Sequence, residues 1–203
     1  MLALLAGTAT AFALTEALKL DRTPIARPKF DVSFSPVCDC RRERARLPVR
    51  FRSQQTVDAV VVDGDGNPIR SLETGMRHPR GRFVYVWDGR DDDGAVVPDG
   101  SYRLRLSFDS DRRTIDLPNE IRVDTEPPSL QVQRVLQDPL TVVARSNERA
   151  RLLLLLDGRI DARGSYEDSG PIRVVNDSDL LGALSVIAED AAGNRSQPVE
   201  LDR

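Results

Sequence analysis

Phe83-Val-Tyr-Val-Trp87-Asp-Gly89-Arg-Asp-Asp-Asp-Gly94-Ala-Val-Val-Pro-Asp-Gly100-Ser-Tyr102-Arg-Leu-Arg-Leu106 is the stretch that decides how this chain folds. Phe83, Tyr85 and Trp87 recur every second residue, as do Tyr102, Leu104 and Leu106. Side chains on a strand alternate between its faces, so each set shares one face. The connection is acidic and carries Gly89, Gly94 and Gly100, residues that turns select for their backbone freedom. The stretch therefore predicts two strands, each with a large aromatic side chain, joined by a turn-rich segment.

The same period continues upstream and downstream. Strands are expected over 30–35, 46–52, 56–62, 69–73, 82–87, 101–108 and 112–116, a number and spacing that suit a β-sandwich. Asp63-Gly-Asp-Gly-Asn67 joins two of them with residues that hairpin turns require.

The order Trp87-x-Gly89, Gly94, Gly100-x-Tyr102, preceded by Val60-Val-Val-Asp-Gly-Asp-Gly-Asn-Pro-Ile-Arg-Ser-Leu72, resembles the Ig-like domain of the flagellar hook-capping protein FlgD and its relatives in secreted bacterial proteins. The resemblance covers residues 30–124 and rests on the order of these features. It implies an Ig-like sandwich whose signature positions are Trp87, Gly89, Gly94, Gly100 and Tyr102. Its implied role is that of a spacer or binding platform.

Val123-Asp-Thr-Glu-Pro-Pro128 marks a boundary, since consecutive prolines stiffen the chain and interrupt ladder pairing. It resembles the junction that precedes bacterial Ig-like repeats. A second module is expected over 125–203, with strands at 129–136, 140–145, 149–156, 172–175, 184–188 and 199–201. The uniform run Arg151-Leu-Leu-Leu-Leu-Leu156 reads, by its length, as a central strand buried on both faces. Ala188-Glu-Asp-Ala-Ala-Gly-Asn-Arg-Ser196 resembles the hairpin that closes such repeats. There Gly193 and Asn194 supply the turn, and Asp190 and Ser196 can bond nearby backbone.

Residues 1–20 open with an apolar run free of charge up to Glu16. Three readings stay open: a membrane anchor, a cleaved signal ending near Ala11-Phe-Ala13, or a buried helix. Residues 21–29, with Pro24 and Pro28, read as a linker. Across 203 residues, 40% hydrophobic and 30% charged content fit a chain that folds. A net charge of −3 leaves no electrostatic footprint for nucleic acid.

Cys38-Asp-Cys40 is open to a local disulfide, to free or intermolecular thiols, or to half of a metal site. A disulfide there needs an irregular loop, because extended i and i+2 side chains stand about 6–7 Å apart. Asp63, Asp65 and Asn67 imitate the opening of a calcium loop, but Pro68 occupies the glycine position, which favours a plain hairpin turn. Asp88, Asp91, Asp92 and Asp93 form a second acidic cluster of the same kind. Arg41, Arg42, Arg44 and Arg46 form a basic run that reads as a solvated loop or an anion-facing patch. His78, beside Pro79, is expected on an exposed loop. No hydrolase, zinc-protease or phosphate-loop motif occurs, so no catalytic residue, cofactor or firm metal ligand is assigned.

These readings converge on an all-β chain of two tandem Ig-like or fibronectin-III-like sandwiches, 30–124 and 125–203, behind an N-terminal hydrophobic helix. The resemblance implies a non-catalytic envelope protein, membrane-anchored facing outside or secreted, that binds an envelope protein or glycan. An accessory subunit of an envelope enzyme and a flagellar hook-associated protein are the alternatives.

Overall fold

The computed structural model describes residues 23–26, 28, 30–110, 112–137, 139–168, 171–176 and 182–201, and these are all-β. The expected helix within 1–20 lies outside the described residues. Among the described ones, no helix is long and apolar enough to cross a membrane.

The first eight strands are β1 (Val32–Phe34), β2 (Ala45–Phe51), β3 (Gln55–Val62), β4 (Pro68–His78), β5 (Gly81–Trp87), β6 (Gly100–Phe108), β7 (Arg113–Asp116) and β8 (Ile121–Val123). One sheet runs β1-β8-β6-β3-β4 with β7 against β6, and β2 and β5 form a second. In β2 the alternation is strict: Ala45, Leu47, Val49 and Phe51 are buried, while Arg46 and Arg50 face out. These side chains and those of β3, β6 and β8 share one core. Fully burying each large apolar side chain contributes about 1.5–3 kcal/mol.

The two strands of the stretch Phe83–Leu106 do not pair with each other. β5 pairs with β2, whereas β6 pairs with β3 and β8, so they lie in opposite sheets. Their aromatics meet across the core instead, the Trp87 and Tyr102 rings 5.1 Å apart and 63° inclined. Trp87 Nε1 donates to the Arg90 carbonyl at 2.9 Å, and the Tyr102 hydroxyl to the Pro98 carbonyl at 2.7 Å. Each ring is buried while its polar end stays bonded. Phe83 remains partly exposed at the rim, its ring 4.3 Å from that of His78.

β4 is longer than its sequence suggests, because register shifts against β3 break the alternation that would reveal it. Its extension corrects the reading of His78, which is buried and not on an exposed loop. The His78 ring stacks on Phe51 at 5.0 Å, and Nε2 lies 2.7 Å from Glu73 Oε1. Within the expected linker, Ile25 is buried in the first core and bridges to Phe51. The free side of β2 lets that short apolar segment pair there.

The remaining strands are β9 (Gln131–Gln137), β10 (Leu140–Arg145), β11 (Ala150–Leu156), β12 (Arg159–Arg163), β13 (Ile172–Asn176), β14 (Leu184–Asp190) and β15 (Val199–Glu200). They form sheets ordered β13-β10-β9 and β12-β11-β14-β15 around a second, separate core. β11 is flanked by β12 and β14. Leu152 and Leu154 enter the core, and Leu153 is fully buried on the other face.

Candidate functional site

One group of described residues that combines charge, recess and irregular backbone lies where the two cores adjoin. From the first body comes the loop after β1, residues 35–44. Cys38 and Cys40 are joined there as a disulfide, with Cα atoms 5.2 Å apart. Asp39 between them takes φ +46°, which folds the segment out of the extended geometry that would separate the sulfurs.

From the second body comes the hairpin after β14. Asp190 Oδ1 accepts from the Gly193 and Asn194 backbone N–H at 2.6 and 2.9 Å, and Oδ2 accepts from Asn194 Nδ2 at 2.8 Å. Ser196 Oγ accepts from the Ala188 N–H at 2.9 Å. The hairpin is thus fixed by side chains that mimic ladder bonds.

The two pieces touch. Gly193 lies so close to the disulfide that a Cβ built on it would stand 2.7 Å from Cys40 Sγ. Arg42 Nη1 donates to the Ala191 carbonyl and lies 3.4 Å from the Tyr166 hydroxyl. Asn194 Nδ2 also donates to the Asp124 carbonyl at 2.9 Å. Gly193 and Asn194, expected only as turn residues, therefore hold the contact between the bodies as well.

Two charge clusters flank this contact. On one side Asp124, Glu148 and Asp190 bring carboxylate oxygens within 4.8 Å of one another. Burial pushes the Glu148 carboxyl above its ordinary range, and Asp124 and Asp190 push it further. Burial likewise raises Asp190, against the bonds it accepts from Asn194 and Gly193. Like charges this close relieve their repulsion by holding a proton or a cation. Nothing in local spacing signals this trio, since only the fold unites residues so far apart in sequence.

On the other side a cleft of about 510 Å³ is lined by β1 and by Arg41, Arg42, Arg44, Arg46, Arg149 and Tyr166, with Asp31 as its one carboxylate. An adjoining cleft of about 550 Å³ shares Arg41 and Arg42. In that second cleft Glu189 accepts from Arg151 Nε at 3.1 Å and Arg195 Nε at 3.0 Å, so much of the charge is neutralised internally.

The other positions singled out in the sequence serve local structure. Asp63 Oδ1 accepts from the Asp65 and Asn67 N–H at 3.0 and 2.8 Å, and Oδ2 from Asn67 Nδ2 at 2.9 Å. Those bonds hold its pKa below the ordinary value and engage the carboxylate in the turn. Asp91 and Asp92 accept from the Ala95 and Ser71 N–H at 2.8 and 3.0 Å. Gly89 has φ +72°, and a Cβ there would meet Pro36 at 2.9 Å, so both backbone and space select glycine. Gly94 closes the acidic loop by donating to the Asp91 carbonyl at 3.2 Å, and Gly100 opens β6.

Comparison with known proteins places the first body in the Ig-like class of β-sandwiches. Residues 45–111 match the FlgD Ig-like domain family. The basal-body rod modification protein FlgD of Salmonella typhimurium is 39% identical over 63 residues. Its counterpart in Salmonella typhi gives the same figures. Each match covers 30% of this chain and only 27% of the relative's length. The solved structure of FlgD from P. aeruginosa aligns with 49% of this chain and 71% of its own, at 20% identity and a TM-score of 0.33.

Proposed function

We propose that this chain is a non-catalytic tandem Ig-like module of the bacterial envelope, membrane-tethered or secreted, with Ig-like units over 30–124 and 125–203. It would work by presenting its loops and sheet edges to an envelope protein or glycan. The observation that carries this reading is the FlgD-type domain, matched over 45–111, coupled through a defined contact to a second β-body. A sandwich pair joined in this way suits spacing and display, and its conspicuous charged surface is an open cleft between bodies.

A second reading follows from the relatives' own name. A chain with a FlgD-type domain could associate with the flagellar basal body or hook.

The test is fractionation of cells expressing a C-terminally tagged chain, with protease added outside. The envelope reading expects a chain in the membrane or secreted fraction that external protease digests. A protease-protected cytoplasmic chain would overturn it. Co-sedimentation with basal bodies, with motility lost on deletion, would select the flagellar reading.

A further inference from the structure

The cleft beside β1 carries charge that the fold does not match. Its guanidiniums outnumber its carboxylates, Asp31 alone facing Arg41, Arg42, Arg44, Arg46 and Arg149. Some of that charge has partners: Arg44 meets Glu43 at 3.7 Å and Arg149 meets Asp168 at 3.0 Å. Both pairs are solvent-exposed and therefore weak. Arg41 and Arg46 make no ion pair with any described residue, and both are exposed.

The floor of the cleft is a sheet edge. β1 ends its sheet, with β8 as its one neighbour. The Val32 N–H donates to the Glu120 carbonyl, and the Phe34 carbonyl accepts from the Asp124 N–H, both at 3.2 Å. Backbone groups alternate along a strand, so Ser33 between them turns its N–H and carbonyl to the open edge. The far end of that edge is closed, since the Ser35 N–H donates to the Arg42 carbonyl at 3.1 Å.

We propose that this cleft binds an extended acidic peptide segment of a partner protein, which pairs its backbone with β1 at Ser33 and its carboxylates with Arg41, Arg46 and Arg149. Planar guanidiniums match carboxylates in two parallel hydrogen bonds, and an open strand edge is a ready template for a peptide backbone. The edge is what favours a peptide over an anionic glycan, which has no ladder of amides to offer. The recess between two bodies disfavours a flat lipid surface.

The inference rests on the binding-module reading and names its partner class. A cytoplasmic location would sink the envelope assignment and leave peptide binding standing. Absent peptide binding would leave the localisation result untouched.

The test titrates the full chain at low salt with an acetylated, amidated peptide of alternating Glu and Thr. Three comparison probes accompany it: the Gln analogue, the same peptide N-methylated along one edge, and an oligogalacturonate of equal charge. The account expects saturable, salt-sensitive binding of the first peptide, weaker by roughly tenfold or more for each of the others. Arg41→Glu with Arg46→Glu should weaken the parent peptide by a similar factor. The peptide series uses the unaltered chain, so a folding defect in the variant cannot obscure the result. Equal binding of the N-methylated peptide or the oligogalacturonate would show a cleft that reads charge alone and overturn backbone pairing. No saturable binding by any probe would overturn the site itself.

Discussion

Gly193 of the second body faces Cys40 of the first so closely that one added methyl group would stand 2.7 Å from the Cys40 sulfur. Gly193 also holds φ +101°, where a side chain is disfavoured for backbone reasons alone. Gly158, in the same body at φ +76°, has open space around the corresponding methyl position. Gly158→Ala should therefore cost only the backbone term, about 1 kcal/mol, whereas Gly193→Ala should cost distinctly more, roughly 2–3 kcal/mol. Combining Gly193→Ala with Cys38→Ser and Cys40→Ala should recover part of the excess. Denaturant unfolding of the set measures this coupling. Equal costs at the two glycines would show that the contact contributes nothing.

Glu73 accepts from the Tyr85 hydroxyl at 2.6 Å while contacting His78 at 2.7 Å, all three being largely screened from solvent. Glu73→Ala should leave two buried partners unmatched and cost about 2–3 kcal/mol, against about 1 kcal/mol for Tyr85→Phe. Thermal melts of both variants at neutral pH check the order.

Burial, together with Glu73, drives the Tyr85 hydroxyl far above its ordinary pKa. Burial also raises Tyr102, assisted by Asp63 and Asp99. A group whose folded pKa is raised contributes stability below its unfolded pKa, and that stability is lost as pH climbs toward the folded value. Stability should therefore fall as pH rises past about 10, the unfolded tyrosine value. Phenolate absorbance should show Tyr85 and Tyr102 ionising only with unfolding. Early, reversible ionisation of every tyrosine in the native state would count against this burial.

Glu148 is raised by burial and by the facing carboxylates of Asp124 and Asp190, with Arg122 opposing. The sign follows from the same linkage: its protonated form favours folding, and that benefit disappears as pH rises through the raised value. Glu148→Gln should therefore stabilise the chain at pH 7 by up to about 1 kcal/mol and change little at pH 4. Asp190→Asn should behave oppositely despite a pKa raised in the same direction, because Asp190 accepts three bonds that close its hairpin. Melting curves at the two pH values distinguish the pair.

Trp87 is the chain's one tryptophan and is buried with its Nε1 bonded to Arg90. Trp87→Phe should lower stability by roughly 2–4 kcal/mol through lost volume and an unmatched Arg90 carbonyl. In the unaltered chain, tryptophan fluorescence should report unfolding of the first core.

Much of the first body was legible because its strands keep strict alternation: β2, β3 and β6 follow it almost residue by residue. β8 was missed because three residues are too few to show a period, and β12 because Arg159–Arg163 is an edge strand with mostly polar side chains. His78 was misplaced because bulges between β3 and β4 conceal how far β4 runs. The pairing of β5 and β6 with other strands is a long-range choice that an alternating pattern does not encode. The junction was legible only in parts. Cys38, Cys40, Gly193 and Asn194 each stood out locally, and nothing in their spacing showed that they meet. Glu148, Arg149 and Tyr166 carried no local signal.

The measurement that bears most directly on the envelope assignment is the intact mass of the chain from its own cells, taken after thiol alkylation without prior reduction. The account predicts that Cys38 and Cys40 escape alkylation until a reductant is added, because disulfides persist outside the reducing cytosol. A chain carrying two alkyl groups before reduction would contradict it.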